Sequence, residues 1–499
     1  MILRHKAKIK VCFSEKFHYF YIYRIPPTGE KGVRMNFKMV GAAALMVFGL
    51  AQAVVNFPFP QMSDYGGNAT LLSDKAAASE QLKQQFLYWK KAMYNESGDI
   101  AGIRSDPGSD AYFSEGVGYG MLLMVYFSDN TTSYQAEFDK IWNFYKKFEN
   151  ENGLMIWKIG KLSESWDAGN GAALDGDIDA AAALIMAYYQ FGDEKYKEDA
   201  KKLIQSMKKY EFESNGLHLP GDKWGDAALN RKNPGYFDPA YMPLFAAVDV
   251  ENAEFWSKTA YDANMNLYEK SASDAPSTGL IDDWTDKNGN SEDDYYSYDA
   301  SRAPWRNAKA VCWHGDQRAL ALDKKMAEFV STVSAASMSG PVMRRSGSLG
   351  NDHNSTFVPS LMTALISDSK YQAKLDEYWK EAVALGDENY FNQSLKLLNG
   401  LLVSGNMPNL SAPTSSTSVA KKKALVQSSL KLNGRVLEMN LSGKTRVDLM
   451  SVSGQIVKNL WNGNADAPVS VSLENLPSGL YVARVQGASS TSIHKIHLK

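Results

Sequence analysis

Between residues 76 and 403 apolar side chains recur at three- and four-residue intervals, the period of a helix with one buried face. They recur hardly anywhere at the two-residue interval of a strand. The runs fall at 76–95, 114–128, 132–149, 176–191, 194–210, 239–248, 252–269, 300–311, 316–334, 356–367, 369–384 and 390–403, parted by short loops rich in Gly, Asn and Asp. A chain patterned this way has to bury a dozen helices against one another. An even number of helices with short connections predicts an all-α fold of two concentric layers of hairpins, an α/α toroid; an irregular bundle would show the same period.

The flanks read differently. Residues 1–34 are basic and aromatic without clear period, and read as an upstream extension ahead of a true start at Met35 or, second, as an unusually long n-region. From there a basic stretch with Lys38, an apolar run from Met39 to Leu50 and the triplet Ala51-Gln52-Ala53 make a signal peptide over 35–53. Its apolar run is too short to span a bilayer. The mature chain is expected to begin near Val54, outside the cytoplasm, with a catalytic domain over 54–404. At 405–423, Ser, Thr and Pro followed by Lys421-Lys422-Lys423 predict a flexible linker. Over 424–499 the period changes to two, as in Arg446-Val447-Asp448-Leu449-Met450 and Leu480-Tyr481-Val482-Ala483-Arg484-Val485. Turns such as Pro477-Ser478-Gly479 punctuate these runs, which predicts a small β-sandwich.

Charge and cysteine content narrow the chemistry. A net charge of −2 gives no reason to expect a nucleic-acid partner. Of two cysteines, Cys12 lies in the extension, so Cys312 in an apolar run is expected to be a buried, inert thiol. The seven His show no zinc spacing, and Asp283, Asp286 and Asn288 read as a solvated acidic loop, so neither a metal nor a cofactor is expected. The 26 Tyr and 11 Trp suit a large core or a sugar-binding groove, because the C–H face of a sugar packs on a flat aromatic ring.

Three stretches combine acids with glycine or aromatics at a predicted helix start. In Ser114-Glu115-Gly116-Val117-Gly118-Tyr119-Gly120, Ser114 suits an N-cap and Glu115 the first turn. Three glycines so close together, each costing a helix about 1 kcal/mol, call for close approach by a bulky group or by another helix. In Ala173-Leu174-Asp175-Gly176-Asp177-Ile178-Asp179 three carboxylates alternate, with Asp175 as cap and Asp179 one turn on. They suit a cation, sugar hydroxyls, or simple capping and solvation. In Tyr298-Asp299-Ala300-Ser301-Arg302-Ala303-Pro304-Trp305-Arg306, Asp299 and Arg302 share a face, as a surface ion pair or as part of an aromatic-lined site.

Taken together and in this order, the three stretches resemble glycoside hydrolase family 8 over about residues 60–405. The second departs from the family pattern at Leu174 and Ala180 but keeps its acids. The resemblance implies an (α/α)6 barrel with an open cleft and hydrolysis with inversion. It also implies Glu115 as general acid, Asp299 as general base, and Asp175 as the group that holds the distorted sugar at the cleavage point. It makes Arg302 and Tyr298 substrate-binding, with Tyr236, in Asn233-Pro234-Gly235-Tyr236, lining the cleft. Trp157 and Trp224 are further candidates as stacking platforms. Asp299 favours the group that includes endoglucanases and some xylanases. The tail, with Leu476-Pro477-Ser478-Gly479-Leu480-Tyr481-Val482, resembles bacterial C-terminal sorting tails.

These readings imply a secreted or outer-membrane-associated bacterial enzyme, monomeric. Its expected partners are a β-1,4-linked polysaccharide, β-glucan before xylan or chitosan, and the secretion machinery. A magnesium-dependent prenyl-type enzyme would also be helical and Asp-rich, but the export signal and the lack of a basic pyrophosphate site argue against it. A non-catalytic sugar binder would not need both Glu115 and Asp299.

Overall fold

The computed structural model describes Ile9–Val11, Ile22–Arg24 and residues 55–499, apart from 163, 166–170, 226–228, 387–388, 412–428, 442, 452–455, 466–468, 488–490 and 499. The expected signal peptide at 35–53 lies outside the described residues, as does most of the expected 1–34 extension. Within that extension Ile9–Val11 and Ile22–Arg24 form an antiparallel pair.

Each apolar run becomes a helix. The described residues include α1 (Lys75–Met93), α2 (Ser114–Phe127), α3 (Gln135–Lys147), α4 (Leu174–Phe191), α5 (Glu194–Tyr210) and α6 (Met242–Val248). They continue with α7 (Tyr261–Ser273), α8 (Arg302–His314), α9 (Gln317–Thr332), α10 (Phe357–Met362), α11 (Gln372–Ala384) and α12 (Tyr390–Val403). Three expected helices are subdivided. A π-helical turn, Phe255–Ala260, leads into α7, and a 3-10 turn, Thr363–Ser367, continues α10. The third is 369–384, where a 3-10 turn, Ser369–Tyr371, leads into α11.

Burial alternates along the chain except at the short α6, where Pro243 and Ala247 are exposed. Helices α1, α3, α5, α7, α9 and α11 bury one stripe each, as α5 does with Tyr196, Ala200, Leu203, Ile204 and Met207. Helices α2, α4, α8, α10 and α12 are buried around almost their whole circumference. A helix wrapped in protein on all sides must lie inside a ring of one-sided ones, so the helix-rich body is consistent with an α/α barrel. The glycines of α2 serve this packing. A Cβ on Gly118 would come within 2.9 Å of Asp179 Cβ and of Gly176 O, and a Cβ on Gly176 within 2.5 Å of Ser114. Of the two readings of the glycine run, close helix–helix approach is therefore the one observed where α2 crosses α4.

Strands of two to four residues, which the apolar period did not reveal, form small sheets between the helices. They include β1 (Tyr94–Ser97) with β2 (Ile100–Ile103), and β3 (Tyr112–Phe113) with β4 (Lys158–Lys161) and β5 (Glu164–Ser165). Then come β6 (Arg231–Lys232) with β7 (Thr285–Asp286), and β8 (Tyr295–Tyr296) with β9 (Gly340–Met343) and β10 (Leu349–Asp352). Segments this short cannot display an alternating pattern.

The expected linker needs correcting at its start. Residues 405–410 belong to the body: Met407 and Leu410 are buried, Trp313 Nε1 donates to Met407 O at 2.7 Å, and Tyr126 Oη donates to Pro408 O at 3.0 Å. Two apolar side chains outweigh the Gly-Asn-Pro composition that suggests a loop. Residues 412–423 of that linker lie outside the described residues.

The tail forms two antiparallel sheets around one apolar cluster that includes Leu437, Met439, Val447, Leu449 and Ala483. One sheet orders β11 (Ser429–Asn433), β12 (Val436–Asn440) and β15 (Val469–Ser472); the other orders β14 (Ile456–Ala465), β13 (Gly443–Ser451), β16 (Gly479–Gly487) and β17 (Thr491–Leu498). No helix among the described residues is long and apolar enough to cross a membrane.

Candidate active site

The N-terminal ends of α2, α4, α8 and α12 converge on one cleft of about 420 Å³. Unsatisfied N–H groups make helix starts favourable places for negative charge. Three of these starts, those of α2, α4 and α8, have no side-chain cap, whereas Asn389 caps α12 by accepting from Asn392 N. Ser114 is the first residue of α2 rather than its cap, and Asp175 lies in the first turn of α4 rather than capping it. The Ser114 N–H is already committed to Trp157 O at 3.0 Å, and the carboxylate of Asp175 turns into the cleft.

All eight residues singled out in the sequence line this cleft: Glu115, Asp175 and Asp299, with Arg302, Tyr236, Tyr298, Trp157 and Trp224. At its centre the Arg302 guanidinium, 2% exposed, holds three carboxylates. Its Nη1 donates to Glu115 Oε1 and, at 2.6 Å, to Asp175 Oδ2; its Nη2 donates to Asp299 Oδ1 at 2.8 Å. The guanidinium thus stands between the helix-borne Glu115 and Asp299, which belongs to the turn just before α8. The side chains differ in access to water: Glu115 is 9% exposed and Asp175 6%, whereas Asp299 is 38% exposed.

Three carboxylates on one buried cation leave an excess of negative charge. Burial, reinforced by the charge of Glu115, pushes Asp175 up to about 7 against the opposing pull of Arg302 and Arg306. Near neutral pH Asp175 is therefore close to its midpoint, part protonated and part ionised. Burial, with the charge of Asp175, likewise keeps the Tyr236 hydroxyl protonated well past its ordinary range. The Tyr236 ring lies 4.8 Å from the Arg302 guanidinium and faces it.

The walls are aromatic. Phe113 stacks between Trp157, at 5.9 Å, and Tyr390, at 5.7 Å. On another side Trp224, 38% exposed, donates Nε1 to Ala172 O at 2.9 Å. Tyr298 is tied to the β9–β10 hairpin, donating to Asp352 Oδ2 at 2.9 Å and accepting from Asn354 Nδ2 at 3.1 Å.

Several of the other acids and bases sit elsewhere than their pattern suggests. Asp177 and Asp179 are fully buried, neither capping nor solvated. Asp177 accepts from Tyr145 Oη, and Asp179 forms an ion pair of 2.7 Å with Arg306, which also reaches Asp238 at 3.1 Å. Arg306, next to the cleft in sequence, is therefore a core residue, and it supplies the counter-charge without which Asp179 could not be buried. Cys312 is buried. Asp283, expected in a solvated loop, is pushed up to about 7 by burial and by the nearby Asp299. Its Oδ1 accepts from Ser297 N and Ala300 N.

Two neighbours of the acids were not legible beforehand. Tyr390 donates its hydroxyl to Glu115 Oε2 at 2.8 Å, and Trp284 donates Nε1 to Asp299 Oδ2 at 2.9 Å.

Comparison with known proteins identifies the family of the helical body and the kind of tail. The family model for glycosyl hydrolases family 8 matches residues 57–405, and that for a secretion system C-terminal sorting domain matches residues 433–499. Endoglucanase A of Acetivibrio thermocellus is 31% identical over 399 residues, covering 75% of this chain and 80% of that protein. A reducing end xylose-releasing exo-oligoxylanase of Halalkalibacterium halodurans is 27% identical over 351 residues, 63% of this chain and 84% of that protein. Among solved structures, a β-1,3-1,4-glucanase from Paenibacillus sp. X4 superimposes with a TM-score of 0.66 at 24% identity, covering 70% of this chain and 99% of that one. The chain is a glycoside hydrolase that belongs to glycosyl hydrolase family 8, carrying a secretion-system sorting domain at its C-terminal end.

Proposed function

We propose that this enzyme is an inverting, endo-acting hydrolase of β-1,4-linked polysaccharide, most of all β-glucan, with Glu115 as general acid and Asp299 as general base. The observation that carries the reading is the trio Glu115, Asp175 and Asp299 gathered on Arg302 in an aromatic-walled cleft. A glycosidic oxygen leaves only if protonated, which asks for an acid sheltered from water; Glu115 is the sheltered member of the pair. The base must reach a water molecule, and Asp299 is the exposed member. Inversion needs room for that water, with carboxyl groups about 6.5–9.5 Å apart, and a guanidinium inserted between the two supports such a separation. Asp175, held on the same guanidinium as Glu115, can accept from sugar hydroxyls at the cleavage point. Trp157, Trp224, Tyr236 and Tyr298 then offer faces and hydroxyls to neighbouring rings.

The same reading takes the body as a closed (α/α)6 barrel over residues 54 to about 410, the tail as a β-sandwich that addresses the enzyme to its export machinery, and the enzyme as a monomer. The likeness to endoglucanase A favours glucan. The likeness to the exo-oligoxylanase keeps xylan, or the reducing ends of its oligosaccharides, as the second reading.

Carboxymethylcellulose, lichenan, xylan and chitosan assayed in parallel, with the first-formed anomer read by NMR, test this. Fastest cleavage of a glucan and an α-anomeric product are expected. A β-anomeric product would overturn inversion. Undiminished turnover by Glu115→Gln or Asp299→Asn, each expected to lose about 10²-fold or more, would overturn the acid–base assignment.

A further inference from the structure

The segment Asp283-Trp284 grips Asp299 from behind the cleft. Asp283 Oδ1 accepts the main-chain N–H of Ser297 at 2.8 Å and of Ala300 at 2.7 Å, one on either side of Asp299. The next residue reaches the side chain itself: Trp284 Nε1 donates to Asp299 Oδ2 at 2.9 Å, while Arg302 Nη2 takes Oδ1 at 2.8 Å. The indole is fixed in turn. The Arg231 guanidinium lies 4.2 Å from its ring centre, Tyr236 meets it edge-on at 6.2 Å, and Trp224 lies 6.4 Å away.

A carboxylate with a donor on each oxygen cannot turn about its Cβ–Cγ bond, and it still has lone pairs to spare. Arg302 alone would be a loose guide, because its other nitrogen is shared by Glu115 and Asp175. We infer that Trp284 is a positioning residue for the general base: its N–H fixes the plane of the Asp299 carboxylate so that a free lone pair faces the attacking water. This rests on Asp299 being the base. Trp284 touches neither sugar nor water in this role. It acts through Asp299, whose Oδ2 accepts its N–H.

The test is Trp284→Phe in the full chain, with kcat, KM and the pH profile of kcat/KM measured on whichever polymer of the panel is cut fastest. The expected result is a fall of about tenfold in kcat, KM within about twofold of the parent, and an acidic limb moved to higher pH, because a lost donor disfavours the charged carboxylate. A merely structural role would lower the melting temperature and leave that limb in place, so a folded variant with an unmoved limb overturns the inference. Should the phenylalanine variant fail to fold, replacement of Trp284 by 3-benzothienylalanine, isosteric and lacking only the N–H, is read by the same limb with the same two outcomes. Asp299→Asn is measured beside it. If that variant turns over normally, the base assignment itself fails; if it is inactive while Trp284→Phe matches the parent, only the inference falls.

Discussion

Tyr390 closes the other side of Glu115. One carboxylate oxygen takes Arg302, the other takes the Tyr390 hydroxyl at 2.8 Å, and the phenol ring stacks on Phe113. Tyr390→Phe keeps the stack and deletes one hydrogen bond worth about 0.5–1.5 kcal/mol. A loss of up to roughly tenfold in kcat with little change in KM is expected from steady-state kinetics, because the bond orients the acid and not the sugar. An unchanged kcat would count against any part for Tyr390 in aiming the proton. Gly386-Asp387-Glu388 precede Asn389-Tyr390-Phe391-Asn392, yet the sequence reading attaches no role to this stretch. Only the topology, which starts α12 beside α2, brings it to the site. Glu115, Asp175, Asp299 and Arg302 were legible because each sits in a motif whose residue types are costly to place together. Arg306, in the same stretch as Arg302 but given no role by the sequence, spends its charge on Asp179 and Asp238 in the core.

At the scale of elements, the site depends on how closely α2 and α4 cross. Their first turns carry Glu115 and Asp175, and Gly118 lets the two backbones meet. Gly118→Ala puts a methyl within 2.9 Å of Asp179 Cβ and Gly176 O, neither of which is the end of a flexible side chain. Overpacking of this kind costs about 1–3 kcal/mol, so a lower urea midpoint by circular dichroism with an unchanged slope is expected. A midpoint equal to the parent's would mean that the crossing can open without penalty. The helices themselves were readable, since long amphipathic and apolar runs leave little choice of period. The helix starts were less so. Ser114 and Asp175 have the composition of caps, yet both are drawn into the helix by partners remote in sequence, Trp157 O for one and Arg302 for the other. A propensity for capping is a local preference, and tertiary contacts outweigh it.

Over the whole molecule, buried carboxyls set how stability varies with pH. Asp175, Asp283 and Glu149 are pushed up to about 7 and Asp177 to about 8, burial being the leading cause in each. In the unfolded chain such groups release their protons near pH 4. Between about pH 4 and 8 the folded protein therefore holds protons that the unfolded chain has lost, and raising the pH over that range favours unfolding. Asp129, lowered to about 2 with help from Lys83 and Thr131, works the other way, but its contribution is complete by about pH 4. Calorimetry at steps across this range should show a melting temperature that declines as pH rises; a flat or rising trend would contradict the burial of these acids. The division into a helical body and a β-rich tail could be read from the change of period alone, but the true end of the body could not, because the burial of Met407 and Leu410 depends on a surface built by distant helices. That end is also clasped to the segment preceding α1. Ser63 N donates to Gly405 O at 2.8 Å, Met62 N to Asn406 Oδ1 at 3.1 Å, and Tyr65 Oη to Leu402 O at 2.9 Å. A tug transmitted along the chain from the tail would thus meet a seam stitched by both extremities of the body, loading several bonds together instead of peeling α12 away turn by turn.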